Sequence, residues 1–241
     1  MNTRNSPSVF SSIRGQSLSG RIVDEVIEAL FARKLDAGQF LGTEAQLAET
    51  FRTSRVPIRE ALGRLEALGV VTIKSGAGGG VFMASGEPDR FATALAVQLM
   101  LVRVTSGELF DARIAIECRG AELAAENITD EEIENLEALL KEITASPVGR
   151  AATERILRFH SLIVEASRSR VLIALMHALE HILLNLYLEI HPEQTANVEH
   201  GYNNLRKILT SLIARDPESA HAAMRTHLLF QRKRVTEKTG L

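Results

Sequence analysis

The chain has 241 residues, 45% of them hydrophobic and 24% charged, which is typical of a globular protein with one smaller and one larger domain. Its N-terminus lacks the apolar segment of a secretory signal, and we expect no run near the roughly 18 apolar residues that cross a membrane, so a cytoplasmic protein is predicted. The formal net charge of −2 is unevenly divided: residues 1–86 hold 10 Lys and Arg against 8 Asp and Glu, whereas residues 87–241 hold 18 against 22. The single cysteine, Cys118, excludes a disulfide framework within one chain and is expected to be a buried thiol.

Residues 1–17 are polar and rich in serine, without a sustained period, which predicts a flexible arm. The segment from Ser19 to Lys34 then repeats apolar residues at helical spacing and predicts an amphipathic helix. Its apolar positions are Ile22, Val23, Val26, Ile27, Leu30 and Phe31. Residues 39–42 are interpreted as a short connection.

Two short helices joined by a polar turn are predicted between Thr43 and Leu68. Thr43 is the expected N-cap of the first helix, and Pro57 lies in the first turn of the second, where its missing N–H has no cost. The residues expected to be buried are Leu47, Ala48, Phe51, Val56, Ile58, Ala61, Leu62 and Leu65. This arrangement is typical of a helix-turn-helix.

The outward face of the second helix is basic. Arg52, just before the helix, and Arg55, Arg59 and Arg64 within it stand against a single acid, Glu60, before Glu66. The N-terminus of a recognition helix is where side chains reach bases and phosphates, and this local attraction does not require a basic protein overall. The alternative interpretation is a solvated helix face without a ligand.

Two β-type runs follow, at 69–74 and 81–83, around a glycine-rich turn. Because the glycines lie between two strands and not between a strand and a helix, they predict a wing rather than a phosphate-binding loop. The first part of the chain is therefore predicted to be a winged helix-turn-helix.

Residues 18–84 resemble the N-terminal DNA-binding domain of the GntR family of bacterial transcription regulators. The resemblance rests on the helix at 20–34, the pattern LxxxFxxSRxPIREALxRLExxGV and the glycine-rich wing. It implies that Ser54, Arg55 and Arg59 contact the operator.

The same resemblance places Ser75 and Gly76, with Lys74 beside them, at the tip of the wing, where relatives reach the minor groove or the backbone. This chain departs from the family pattern at two positions. Ala45 replaces a basic residue, and Arg52 replaces the usual turn glycine, so Arg52 is expected to restore part of the missing charge.

Residues 85–90 have the composition of a linker. From 91 to 236 every segment has helical spacing, and Thr129 with Glu132 forms a capping-box pattern. Helices are predicted at 91–103, 106–126, 129–145, 149–167, 171–190, 196–214 and 217–235. The fold class is therefore mainly α, with an N-terminal winged helix-turn-helix and a C-terminal antiparallel all-α bundle.

Residues 91–236 resemble the FCD domain, the ligand-sensing half of the largest GntR subfamily. The resemblance rests on LFDARIAIE at 109–117, FH at 159–160, ARD at 214–216 and MRTHL at 224–228. Many FCD domains hold a divalent metal with one Asp and three His. The corresponding positions here are Ile156, His160, Leu205 and His227.

Because Ile156 and Leu205 are apolar, two imidazoles alone would form a weak metal site, and we expect no metal cofactor. A metal held by substitute ligands stays an alternative, because His177 and His181 are four residues apart on one predicted helix and His200 lies near the start of the next. The other interpretation is that His177 and His181 lie on a half-exposed helix face and bind no metal. His160 and His227 are interpreted either as hydrogen-bonded core residues or as part of a pocket.

Arg113 lies on an otherwise inward-looking stretch and needs a partner. Two interpretations are open. By resemblance to the family, Arg113 meets a carboxylate effector, and our hypothesis is that His160 or His227 hydrogen-bonds this acid. Alternatively, Arg113 forms a salt bridge to Glu117, one turn later, or to an acid on a neighbouring helix.

The function predicted is that of a DNA-binding transcription regulator. A helix-turn-helix reads only a half-site, so a homodimer on a palindromic operator is expected. Operator affinity is expected to be controlled by a small molecule, an organic acid, bound in the helical domain. One alternative is a constitutive DNA-binding protein whose bundle serves only dimerisation. An enzyme is not expected, because the sequence contains no HExxH, nucleophile elbow or phosphate-binding loop.

Overall fold

The computed structural model describes residues 17–86, 88–145, 149–190 and 198–239. The chain divides into two compact units between residues 87 and 88. The first unit contains α1 (Leu18–Phe31), β1 (Phe40–Gly42), α2 (Glu44–Thr50), α3 (Arg55–Ala67), β2 (Val71–Lys74) and β3 (Gly80–Met83). The second contains α4 (Pro88–Leu101), α5 (Ser106–Asn127), α6 (Asp130–Ala145), α7 (Arg150–Ala166), α8 (Arg170–Ile190), α9 (Val198–Ile213) and α10 (Pro217–Thr239). The predicted arm lies outside the described residues except for Ser17, which caps α1.

The first unit is a winged helix-turn-helix, as predicted. Thr43 caps α2 in a complete capping box with Gln46, and the core contains Ile22, Leu47 and Ile58. One burial prediction is wrong: Val56 is 64% exposed. The buried positions of α3 follow the spacing 58, 61, 62 and 65, and residue 56 lies about 200° from residue 58 around the helix, so Val56 belongs to the outer face.

The sheet has a third strand that the sequence did not predict. Strand β1 occupies the segment interpreted as a connection and pairs antiparallel with β3, giving the order β1-β3-β2. A strand of three residues shows no period of its own, so only its long-range partner reveals it. Gly80, the first residue of β3, has a φ of +151°, and a Cβ added there would lie 2.5 Å from Cε2 of Phe40 in β1. Both the backbone conformation and the close approach of Phe40 therefore favour glycine at this position.

All seven helices predicted for the second unit are present among its described residues, with ends shifted by a few positions. The capping box at α6 is confirmed, since the Glu132 amide donates to Oγ1 of Thr129 over 3.2 Å. Helix α4 begins at Pro88, inside the segment predicted as a linker. Two apolar clusters form the core, and both α5 and α7 contribute to each of them.

Contrary to the expectation from the sequence, one segment, Arg170–Leu188 of α8, is long and apolar enough to cross a membrane by length and composition. One third of its most apolar window, 33%, is buried inside the protein, and α8 packs against α4, α5 and α7. Its contacts with three other helices are those of a helix that packs within a bundle.

Five helices are followed by an arginine in the left-handed region. Every described non-glycine residue with positive φ is an arginine: Arg33, Arg52, Arg103, Arg168 and Arg215, with φ between 50° and 60°. This is the position after a helix that glycine normally takes. A side chain there costs about 1–2 kcal/mol of backbone strain, so these arginines are either tolerated or retained for what their side chains contact.

Replacing Arg33 by glycine is therefore expected to stabilise the first unit by about 0.5–1 kcal/mol, after allowance for the greater freedom of glycine in the unfolded chain. This should raise the Tm of that unit by roughly 4 °C in calorimetry of the full chain. Arg215→Gly is the matched control. It relieves the same strain but removes hydrogen bonds from Nη1 to the Ile128 carbonyl (2.6 Å) and from Nη2 to Asp130 (2.9 Å), so no gain is expected there. Equal gains at both positions would contradict the argument.

Candidate functional site

The N-terminus of α3 presents an exposed basic surface. Ser54 is the N-cap of α3, but its side chain makes no capping hydrogen bond. Arg55 occupies the first helical position, is exposed, and has no ion-pair partner among the described residues. This helix end is therefore a candidate anion-binding region, formed by its free N–H groups, the Ser54 hydroxyl and the Arg55 guanidinium.

Arg52 and Arg59 flank this region. Arg52, Ser54 and Arg55 line one shallow hollow together with Ala45, so the charge of Arg52 lies close to the position where Ala45 replaces a basic residue. Nε of Arg59 lies 2.7 Å from Oε2 of Glu44, with 65% of the arginine side chain exposed. An exposed pair of this kind contributes little to stability, so a phosphate can replace Glu44 as the partner of Arg59.

The tip of the wing is exposed at Lys74, Ser75 and Gly76. Nζ of Lys74 lies 4.7 Å from the centre of the Phe82 ring, and Phe82 contacts Phe40 with the ring centres 5.1 Å apart. The contact with the Phe82 ring positions the ammonium group without neutralising its charge. Gly76 has φ +92°, a conformation that favours glycine in the turn.

The second unit contains a buried polar cluster, which we define as Arg113, Glu117, His160, Tyr187 and His227. Arg113, Glu117, His160 and His227 are at most 1% exposed, and Tyr187 is 7% exposed. Nε of Arg113 donates to Oε1 of Glu117 over 2.5 Å, and Nη1 donates to the Tyr187 hydroxyl over 2.6 Å. Of the two interpretations of Arg113 from the sequence, the structure therefore shows the salt bridge to Glu117.

Close packing of α5 on α7 brings Glu117 to His160. A Cβ added at Gly120, one turn after Glu117, would lie 3.0 Å from Cγ2 of Val164, one turn after His160. Nδ1 of His160 lies 2.6 Å from Oε2 of Glu117, although it lacks hydrogen-bond alignment with that oxygen. Burial is the largest influence on the pKa of Glu117 and would raise it, but the charge of Arg113, together with His160 and the hydrogen bonds to the carboxylate, outweighs burial and holds the pKa at about 2.

The rings of His160 and His227 stack with their centres 5.0 Å apart and an interplanar angle of 29°. Both nitrogens of His227 and Nε2 of His160 have no hydrogen-bond partner in the described part of the chain. Burial lowers the pKa of His227 well below its ordinary value, and the proximity of His160 and Arg113 acts in the same direction. His227 is therefore a neutral imidazole at pH 7. Buried, unpaired nitrogens of this kind are rare in folded proteins and are candidates for binding a ligand.

The cluster does not fit the metal site of the family. Ile156 packs against the apolar core and Leu205 is buried in it, so two of the four ligand positions of the family carry no donor atom here, and only the imidazoles of His160 and His227 are left. Among the described residues no group of three His, Cys, Asp or Glu is arranged to hold a metal. His177 approaches Glu165 at 3.5 Å, and the side chain of His200 lies outside the described residues.

Tyr187 is the member of the cluster that was not predicted. It is one of two tyrosines in the chain and lies 74 residues from Arg113. A tyrosine on an apolar helix face needs a partner for its hydroxyl, and an arginine on another such face needs an acceptor, so the two could have been paired on chemical grounds.

Cys118 is buried as predicted, and burial raises the pKa of its thiol to about 11.

Comparison with known proteins finds a matching family for each of the two units of the chain. The profile of the bacterial regulatory proteins of the gntR family matches residues 18–81, and that of the FCD domain matches residues 108–230. A putative L-lactate dehydrogenase operon regulatory protein of Escherichia coli is 30% identical over 226 residues, which cover 88% of this chain and 84% of the relative. An uncharacterized HTH-type transcriptional regulator of Bacillus subtilis, YcbG, is 29% identical over 229 residues, which cover 93% and 92%.

A solved structure of a Streptococcus agalactiae GntR protein superposes with a TM-score of 0.58. The two chains are 22% identical, and the superposition covers 89% of this chain and 99% of the other. At this level of identity the likeness shows a shared fold.

Proposed function

This chain belongs to the GntR family of bacterial transcription regulators, with an FCD domain as its second half, and we propose that it is a cytoplasmic homodimer that binds a palindromic operator under the control of a small organic acid. Its relatives and both of its domains are those of DNA-binding regulators and not of enzymes. The observation that supports the DNA-binding half is the exposed Arg55, which has no ion-pair partner among the described residues, beside Ser54, whose side chain makes no capping hydrogen bond at the N-terminus of α3.

The operator can be identified by selection from a pool of random duplexes with the purified full-length protein. We expect enrichment of an inverted repeat, because two copies of α3 related by a two-fold axis read the same half-site on opposite strands. Enrichment of a single unrepeated site would contradict a symmetric dimer on DNA. No enrichment at any salt concentration would contradict sequence-specific binding altogether.

The proposed effector site is the buried polar cluster. Three of the five N–H groups of Arg113 are used, two by Glu117 and one by Tyr187, so two N–H groups stay available to a carboxylate. The unpaired nitrogens of His160 and His227 supply the remaining polar contacts. Because these groups are at most 1% exposed, a ligand enters only when α5, α7 and α10 separate, and this movement is the proposed link between binding and operator affinity.

Binding of an organic acid here is expected to take up about one proton per site. Arg113 and Glu117 already neutralise each other, so the carboxylate brings an uncompensated negative charge into a buried site. His227 is neutral in the free protein because its pKa is lowered, and a neighbouring anion raises that pKa. Since the bound state then holds more protons, affinity should rise as the pH falls through the pKa that His227 has in the bound state, by up to about tenfold per pH unit.

Titration calorimetry in two buffers of different ionisation enthalpy measures this proton uptake. The first probes are L-lactate, chosen because the name of the Escherichia coli relative refers to an L-lactate dehydrogenase operon, and hexanoate, which adds an apolar chain. His227→Gln should abolish the proton uptake, whereas His221→Gln, an exposed histidine on the same helix, should leave it unchanged. Binding without proton uptake would place the acid elsewhere.

The second candidate is a constitutive DNA-binding protein. The observation that favours it is the internal pairing of Arg113 with Glu117, which leaves the site neutral and closed without a ligand. A thermal-shift screen separates the two candidates, since an effector that binds only the folded protein raises its Tm. If no organic acid raises the Tm of the wild type, the constitutive function is supported.

A further inference from the structure

Helix α4 carries an apolar surface that the rest of the described chain leaves open. From residue 92 to residue 102 the sequence has no charged side chain. One side of this helix packs against α8, where Ala96 is buried, whereas Val97, Met100 and Leu101 are 51%, 56% and 69% exposed. A helix that is apolar on all sides is normally covered on all sides. The exposed side of α4 is therefore an unoccupied contact surface.

The exposed side continues as a concave groove between α4 and α8. Ala96 and Ile182 line it and are themselves buried, at 7% and 4% exposure, so they form its floor. The polar side chains in the groove are Thr93, His181 and Asn185, and none of them carries a fixed charge. A DNA backbone or an acidic peptide would find no cation in this groove, so its chemistry selects an apolar, uncharged partner.

We infer that this surface, which we call the α4 face, binds the α4 face of a second copy of the chain. The inference rests on the homodimer proposed above and names its interface. An uncharged face is best matched by another uncharged face, and a two-fold axis brings identical surfaces together. On α8 and α9 the exposed large apolar residues of the described chain, Val171 and Ile213, lie singly, and single exposed apolar residues are ordinary.

The order of side chains along α4 is self-complementary about Val97. Thr93 lies four residues before Val97 and Leu101 four residues after it, so all three share one side of the helix. Two α4 helices that cross antiparallel at Val97 place each Leu101 beside the Thr93 of the other copy, which pairs a large side chain with a small one. Because α4 is the first helix after residue 87, this contact lies close along the chain to both DNA-binding units.

The first test is the mass of the full-length protein in solution by light scattering after size-exclusion chromatography, at about 10 μM. Val97→Glu places two like charges at the centre of the interface and is expected to weaken the dimer by about 100-fold or more. Val171→Glu is the matched control, since Val171 is 70% exposed on α8 and a glutamate near the N-terminus of a helix is favourable. Circular dichroism checks that both variants keep their helices.

The second test is crosslinking through Val97→Cys. A residue on the two-fold axis meets its own copy, so this variant should form a disulfide-linked dimer under mild oxidation, whereas Val171→Cys should not. The native thiol gives little background because Cys118 is 2% exposed. A wild type that stays monomeric, or a Val97→Glu variant that stays dimeric, overturns the inference. If Val97→Cys crosslinks but the dimer selects no DNA sequence, the proposed function fails and the interface stands.

Discussion

Replacing Glu117 by alanine is expected to lower the free energy of unfolding of the helical domain by about 3–5 kcal/mol. Glu117 is fully buried and is the anionic partner of Arg113, which is 1% exposed. Removing the carboxylate leaves the guanidinium charged, buried and without its counter-charge, because the pKa of Arg113 is too high for it to lose a proton. This penalty is larger than that of removing a typical exposed ion pair.

The measurement is urea unfolding of the full chain followed by circular dichroism, which reports mainly on the helices of the second unit. Arg113→Met combined with Glu117→Leu is the informative control. It removes both charges together and fills their volume with apolar atoms, so most of the stability should return. A loss below about 1 kcal/mol for Glu117→Ala would mean that water reaches Arg113 and that the cluster is not closed.

The pH dependence of stability gives a further check on the same pair. The pKa of Glu117 is about 2 in the folded protein, below the ordinary value for a glutamate in an unfolded chain. A lowered carboxyl pKa contributes stability above the unfolded value, and that contribution is lost as the pH falls through the range from about 5 to 2. The wild type should therefore lose stability over this range more steeply than the double variant.

Arg55→Ala is expected to weaken operator binding by roughly 10-fold to 100-fold, corresponding to the loss of a base contact or a strong phosphate contact. Arg55 stands at the first position of α3, beside the free Ser54 hydroxyl, and no acid in the described first unit pairs with it. Arg59 should contribute less, because binding DNA separates it from Glu44, 2.7 Å away in the free protein.

Fluorescence anisotropy with the selected operator and with an unrelated duplex distinguishes the two roles of Arg55. A base contact lowers affinity for the operator much more than for the unrelated duplex, whereas a phosphate contact lowers both equally and reduces the salt slope by about 1. Arg64→Ala is the matched control, since Arg64 is an exposed arginine in the last turn of the same helix. Equal losses at Arg55 and Arg64 would show that only the overall charge of α3 matters.

The sequence alone determined the helices, two of their caps and the helix-turn-helix with its two-stranded wing. Helical spacing and capping involve residues three or four positions apart, so Thr43 with Gln46 and Thr129 with Glu132 act within their own segments. The basic end of α3 was predictable for the same reason, because one helix end brings its residues together without help from the rest of the chain.

Only the tertiary structure decided the pairings between distant segments. The strand β1 exists because β3 lies beside it, and Val56 is exposed because the core of the first unit lies on the other side of α3. Within the bundle, packing of α5, α7, α8 and α10 brought Tyr187 to Arg113 and stacked His227 on His160. A sequence indicates that a buried arginine or histidine needs a partner, but the partner is selected by the close packing of helices that are far apart along the chain.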